Sequence, residues 1–177
     1  MKKLLAEYLG TTLLVAIVVG SGIMATDLTK EVGLQLLINT IATVFGLAVL
    51  ILILAPISGA HFNPVVTLVD LIQGKSNVLQ FIQYAVAQVL GAISGALLAN
   101  AMFDHAIVET AAKLRSGSNL YLAEIVATAG LILVINLLVI QKNLAVIPAA
   151  VAAWIGSAYF FTSSTSFANP AVTISRT

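Results

Sequence analysis

The chain has no cysteine, which excludes disulfides, thiolate metal sites and a cysteine nucleophile. Charge is almost as scarce. Only 8% of the 177 residues are charged, where a soluble domain carries about 25%. A net charge of +1 offers no basic surface for nucleic acid. There are two histidines, His61 and His105, and they lie far apart, so no metal site is expected. No acid–base constellation of an enzyme is visible, and no cofactor is implied. What the chain has in excess is apolar surface: 60% of residues are hydrophobic and the mean hydropathy is +1.07. An integral membrane protein follows, with the lipid bilayer as its first partner.

A helix needs about 20 apolar residues to cross a bilayer. Five runs qualify: about 4–25, 34–55, 78–102, 120–140 and 144–162. The first begins Met1-Lys2-Lys3, like a signal peptide. It contains Glu7 and has no clear small-residue cleavage site, so it reads as a first spanning helix. All-α architecture in a single domain is expected.

Two shorter stretches interrupt this pattern. Gly59-Ala60-His61-Phe62-Asn63-Pro64-Val65-Val66-Thr67-Leu68 follows the second run, and Ser166-Phe167-Ala168-Asn169-Pro170-Ala171-Val172-Thr173-Ile174 follows the fifth. Proline suits the first position of a helix, where its missing N–H costs nothing. Asparagine before it can cap. Both stretches are too short to span, so each reads as a re-entrant half-helix. Such irregular backbone is tolerated at membrane depth only against protein or water.

The two stretches belong to an internal repeat. Ala6-Glu7 opens the first run and Ala123-Glu124 the fourth; Asn63 lies 56 residues after Glu7, and Asn169 lies 45 after Glu124. Residues 1–102 form the first repeat and 120–177 the second. Three spans separate corresponding elements, an odd number, so the halves are inverted. Inverted repeats place a site near the midplane, built from interrupted helices of both halves. The positive ends of the two half-helices would face each other there. By the same symmetry, a sixth span is expected after Thr177, so the sequence reads as a fragment or an early-terminated chain.

Orientation is weakly encoded. Lys2, Lys3, Lys75 and Lys142 fall on one side, and Lys30, Lys113, Arg115 and Arg176 on the other. The N-terminus is placed in the cytoplasm, so the first Asn-Pro loop enters from there. Asp70 is expected to be solvated at the cytoplasmic end of the first half-helix. Gly91 and Gly95, with Ala87 and Ala99, form a small-residue stripe that lets helices approach closely.

These motifs, Ser58-Gly59-Ala60-His61-Phe62-Asn63-Pro64 above all, resemble those of the major intrinsic protein family, the aquaporins and aquaglyceroporins. The resemblance covers the whole chain. It implies a bundle of inverted repeats with five spanning helices here where six are usual, two half-helices, and a homotetramer with a pore in each subunit. It implies a passive channel for small neutral solutes: water, glycerol-like polyols, and neutral metalloid hydroxides such as arsenite. The pore motifs would be Asn63, Pro64, Val65 and Asn169, Pro170, Ala171; Val65 stands where the family usually has Ala. Glu7 and Glu124 would brace the re-entrant loops, and His61 would pack beside the pore.

One departure bears on selectivity. Family members selective for water or glycerol carry Arg directly after the second Asn-Pro-Ala; here that residue is Val172, with Arg176 four residues on. Counting back from the asparagines places the remaining filter positions at Thr43, Ser157 and Ser166. A filter of Thr43, Ser157, Ser166 and Val172 is small, uncharged and wide, suited to solutes larger than water. The stretch from Thr162 to Thr173 also resembles a bacterial subgroup associated with arsenic resistance, which implies a bacterial inner membrane. Two other readings compete: a truncated, non-conducting or partner-requiring membrane protein, and an inverted-repeat secondary transporter.

Overall fold

The computed structural model describes residues 1–108 and 116–176. Glu109, Lys113, Arg115 and Thr177 lie outside the described residues. Five helices are long and apolar enough to cross a membrane. They are α1 (Lys2–Leu28), α2 (Val32–Ser58), α4 (Val78–Met102), α5 (Ser118–Ile140) and α6 (Ile147–Phe161), the last preceded by a 3₁₀ turn at Leu144–Val146. Two short helices complete the set: α3 (Pro64–Ile72) and α7 (Pro170–Ser175). No strand occurs among the described residues. Helices α1, α2 and α5 run two or three residues beyond the apolar stretches that mark them, because helix geometry continues into the polar flanks, while α4 coincides with its stretch.

Helix α1 lies between α2 and α4, α2 packs on α6, and α6 packs on α5. The α1–α4 contact is the closest. A Cβ built at Gly91 would collide with the Tyr8 carbonyl, and one at Gly95 with the Thr12 carbonyl. The small-residue stripe therefore lies where α4 meets the backbone of α1 directly. Helix α6 is tied to α5 by Trp154, whose indole N–H donates to the Ala127 carbonyl at 2.9 Å. That bond satisfies the one polar atom of a mid-span tryptophan.

Both short helices start as their sequences dictate. Asn63 caps α3 by accepting from the Val65 N–H at 2.9 Å, and Asn169 caps α7 by accepting from the Ala171 N–H at 3.0 Å. Each has Pro in its first turn. Helix α3 packs against α4 and α5, α7 packs against α4, and the two short helices touch each other. The main apolar core surrounds their meeting point, with Leu14, Leu47, Ile51, Phe62, Leu131, Val151 and Ile155 among its members. A smaller cluster of Val15, Ala92, Ala171 and Val172 seats α7 against α1 and α4.

Candidate functional site: a cavity between two half-helices

The loops that precede α3 and α7 are held by one scheme used twice. Glu7, fully buried on α1, accepts from the backbone N–H of His61 at 3.0 Å and of Phe62 at 2.8 Å. Glu124 on α5 accepts from the N–H of Phe167 at 3.0 Å and of Ala168 at 2.7 Å. In each case these are the two residues before the capping asparagine. Upstream, Ser58 accepts from the Ala60 N–H at 3.1 Å and Ser164 from the Ser166 N–H at 3.2 Å. Ser58 and Ser164 both stand five residues before their asparagine.

The backbone repeats as well. Ala60 and Phe62 have positive φ, and so do Ser166 and Ala168 at the matching positions. A non-glycine residue held there costs about 1–3 kcal/mol. Charge-assisted hydrogen bonds to a carboxylate contribute about 1.5–3 kcal/mol each, enough to offset that strain. A residue of either charge other than Glu or Asp could not accept two adjacent N–H groups in this way.

The two loops then clasp each other. The Asn63 side-chain amide donates to the Ala168 carbonyl at 2.7 Å, and the Asn169 amide donates to the Phe62 carbonyl at 2.8 Å. Each asparagine thus caps its own half-helix through oxygen and holds the opposite loop through nitrogen. Both are buried, and both line a cavity of about 640 Å³.

The first repeat carries further supports. Gln88 of α4, fully buried, donates to Glu7 at 2.9 Å and to the Thr67 hydroxyl at 3.0 Å. Tyr84 donates to the Ser58 carbonyl at 3.0 Å. The Ser58 hydroxyl donates to Glu7 at 2.6 Å. Ser58 opens the first Asn-Pro motif, but Gln88 and Tyr84 lie outside it. Gln88 could have been found as a long polar side chain in the middle of an apolar span. Ser58 could have been found from its repeat partner Ser164.

His61 lies at the cavity wall. Its Nδ1 is 3.1 Å from the Thr67 hydroxyl and its Nε2 is 3.3 Å from the Asp70 carboxylate. Asp70 is therefore not simply solvated as its sequence position suggests. It is paired with His61 and, at 3.9 Å, with Lys75. The hydrogen bond from His61, helped by the electrostatic influence of His61 and Lys75, holds its carboxyl below the usual value of 3.8 against the opposing effect of burial.

Three of the four filter positions read from sequence line the cavity: Thr43, Ser166 and Val172. Val172 also belongs to the small apolar cluster under α7. Ser157 does not line the cavity. It is exposed, and its hydroxyl donates to the Ala153 carbonyl of its own helix at 2.9 Å. The cavity-facing residue on that stretch is Tyr159. Residues two apart on an α-helix stand about 200° apart, so the two cannot share a face. Between α6 and Asn169, the segment 162–168 winds through positive φ at Thr165, Ser166 and Ala168. Arg176 does not line the cavity; its guanidinium lies 4.6 Å from the centre of the Phe167 ring. Much of the rest of the lining is apolar, with Leu47, Ile51, Leu131, Ile135 and Val151 among its members.

Comparison with known proteins agrees with this geometry. The family model described as Major intrinsic protein matches residues 1–175. Aquaglyceroporin AqpS of Rhizobium meliloti is 49% identical over 175 residues, which covers 99% of this chain and 75% of AqpS. Aquaporin Z of Brucella melitensis is 43% identical over 100 residues, covering 55% of this chain and 42% of the other. The chain thus matches three quarters of the length of AqpS and less than half that of Aquaporin Z. Among solved structures, the aquaglyceroporin from Plasmodium falciparum superposes with a TM-score of 0.72 at 24% identity, over 98% of this chain and 78% of that one. That likeness concerns the fold.

Proposed function

From the chain's membership of the major intrinsic protein family, we propose that its cavity is the path of a passive channel for small uncharged solutes. The observation that carries this reading is the mutual clasp of Asn63 and Asn169. An asparagine amide has two hydrogens. One on each residue holds the opposite loop, which leaves a second on each for a passing hydroxyl. The apolar side chains that make up much of the lining offer no hydrogen bonds of their own. A solute with hydroxyls on one side and carbon on the other suits such a lining. The N-terminal ends of α3 and α7 meet at the same place, which opposes cations.

Water and glycerol-like polyols are the solutes this reading assigns. Neutral metalloid hydroxides such as arsenite fit the same chemistry, being small, uncharged and rich in hydroxyls. Thr43, Ser166 and Val172 are assigned to the outer constriction, which carries no cation. The channel is assigned to a bacterial inner membrane as a homotetramer, with the N-terminus cytoplasmic. Lys2, Lys3 and Lys75 would then face the cytoplasm, and the relative from Rhizobium meliloti supports a bacterial setting. Glu7 has four hydrogen bonds to the loop and to Gln88, which suits a brace and not a proton relay.

The test is light scattering of reconstituted vesicles under gradients of water, glycerol and arsenous acid. All three are expected to cross faster than in empty vesicles. Val172→Arg is expected to shift the preference toward the smaller solute, lowering the ratio of arsenous acid to water flux, since a longer side chain narrows the constriction. An unchanged preference for solute size in Val172→Arg would contradict the filter assignment.

A further inference from the structure

The His61 ring sits in a fitted seat. Its side chain is 13% exposed and lines the cavity together with Asp70 and Lys75. Gly59 lies beside it: a Cβ built there would stand 3.0 Å from Nε2 and 3.1 Å from Cδ2. Tyr84 of α4 meets the ring edge-on, with centroids 5.5 Å apart. The two ring nitrogens reach Thr67 and Asp70, both on α3, at 3.1 and 3.3 Å. The charged and titratable groups around the ring and its loop are thus Asp70 of α3, Lys75 just after it, Tyr84 of α4 and Glu7 of α1. Glu7 is taken up by the loop backbone, Ser58 and Gln88, and the Tyr84 hydroxyl by the Ser58 carbonyl. Among the described residues, Asp70 is the carboxylate that meets the ring itself.

Hydrogen counting shows that this seat serves two protonation states. The Thr67 hydroxyl accepts from Gln88 at 3.0 Å and has one hydrogen to give. Its other neighbours are the Asn63 carbonyl and His61 Nδ1, each at 3.1 Å. When His61 is neutral with its hydrogen on Nε2, that hydrogen faces Asp70 and Thr67 donates to Nδ1. The Asn63 carbonyl is still paired then, because it accepts the Thr67 backbone N–H at 3.1 Å. When His61 is protonated, Nδ1 donates to Thr67, whose own hydrogen turns to the Asn63 carbonyl. Nε2 and Asp70 then form an ion pair. Neither state leaves a ring hydrogen unpaired, and histidine is the side chain that changes charge between about pH 5 and 8.

We infer that Asp70 is a positioning residue that keeps the His61 ring off the solute path in both protonation states, so that the channel stays open in acid. The inference rests on the channel reading above and adds a pH response to it. Asparagine at position 70 can still accept from Nε2 of a neutral ring through its side-chain oxygen. It cannot neutralise a protonated ring, which would lie part-buried near Lys75 without a counter-charge. A buried charge stripped of its partner is strongly unfavourable, and the cavity that the ring lines is where it regains water.

The experiment measures glycerol flux into vesicles buffered to the same pH on both sides, at about pH 7.5 and about pH 5.5, which bracket the usual histidine value near 6.5. It compares wild type, Asp70→Asn and the double variant Asp70→Asn/His61→Ala, with empty vesicles at each pH. Wild type is expected to conduct alike at both. Asp70→Asn is expected to match wild type at the higher pH and to lose about threefold or more at the lower one, as a ring turned into the path narrows it. The double variant is expected to conduct alike at both again, because the obstructing ring is gone. A purely structural role for Asp70 would lower flux at both pH values, with no rescue by His61→Ala. An acid-induced loss in wild type, equal flux at both pH values in Asp70→Asn, or an acid-induced loss that persists in the double variant would overturn this inference while leaving a conducting wild type. If Asp70→Asn does not fold, the wild-type comparison of the two pH values still puts the inference at risk. A wild type no faster than empty vesicles would overturn the channel reading, and this inference with it.

Discussion

A carboxylate has room for about four hydrogen bonds, and Glu7 makes four. Two of the donors are backbone N–H groups of His61 and Phe62, which have no other partner to turn to. Glutamine in its place keeps the shape but replaces one accepting oxygen with a donor. At least one buried N–H would then face another N–H. Each such loss costs about 1–3 kcal/mol. Glu7→Gln is therefore expected to destabilise by roughly 2–4 kcal/mol, read as a lower midpoint of thermal unfolding in detergent. Glu124→Gln touches the matching loop, but Glu124 makes two bonds and is only half-buried. Its cost is expected to be smaller, about 1–2 kcal/mol. Equal midpoints for wild type and Glu7→Gln would contradict the bracing role. At this scale much of the site was legible: Glu7 and Glu124 stood out because an ionisable group inside an apolar span needs a partner, and because they recur. Tyr84 was not legible, since it does not recur and is ordinary at a helix–helix contact, and Gln88 showed only as a lone polar side chain inside an apolar span.

Among the elements, α3 is pinned at both ends. Asn63 holds its start, and near its far end Asp70 reaches back to His61 of the preceding loop. This pairing gives α3 a pH dependence whose sign is fixed. Asp70 has a lowered pKa in the folded protein, so its contribution to stability is fully present above the usual carboxylate value near 3.8. That contribution is lost as pH falls through the lowered value. Asp70→Asn is thus expected to unfold at a lower temperature than wild type at pH 7. The margin is expected to close only below about pH 4. Equal midpoints for wild type and Asp70→Asn at pH 7 would contradict the pairing. The half-helices themselves were legible from Asn-Pro followed by apolar residues, because capping and proline chemistry are local. The facing of α6 was not. Helix periodicity is visible in sequence, but its phase against the pore depends on how segment 162–168 folds. That segment adopts positive φ at residues such as Thr165 and Ser166, which no propensity rule favours. Hence Ser157 was expected in the cavity and Tyr159 lies there.

For the whole molecule, the inverted repeat explains how two polar loops can exist at membrane depth in so apolar a chain. Every backbone N–H that the loops expose at membrane depth must find an acceptor. The fold supplies Glu7 and Ser58 in one half and Glu124 and Ser164 in the other. The asparagines then join the halves across the repeat. Fold class, span count and repeat were readable because they rest on long runs and on recurrence. The close approach of α1 and α4 was readable as a glycine stripe, though only the structure shows which helix it meets. The lining of the cavity depends on all the elements at once, and so was readable only in part.

The most direct test of a passive path through the Asn63–Asn169 cavity is one measurement on vesicles holding the wild-type protein and a pH-sensitive dye inside. Glycerol entry is followed by light scattering and proton entry by the dye in the same sample. Glycerol flux is expected to exceed that of empty vesicles by at least about tenfold and to rise in proportion to the gradient without saturating, as weak multi-site binding requires. Proton entry is expected to stay at the level of empty vesicles. Glycerol entry that saturates, that depends on a proton gradient, or that equals the empty-vesicle rate would contradict the account.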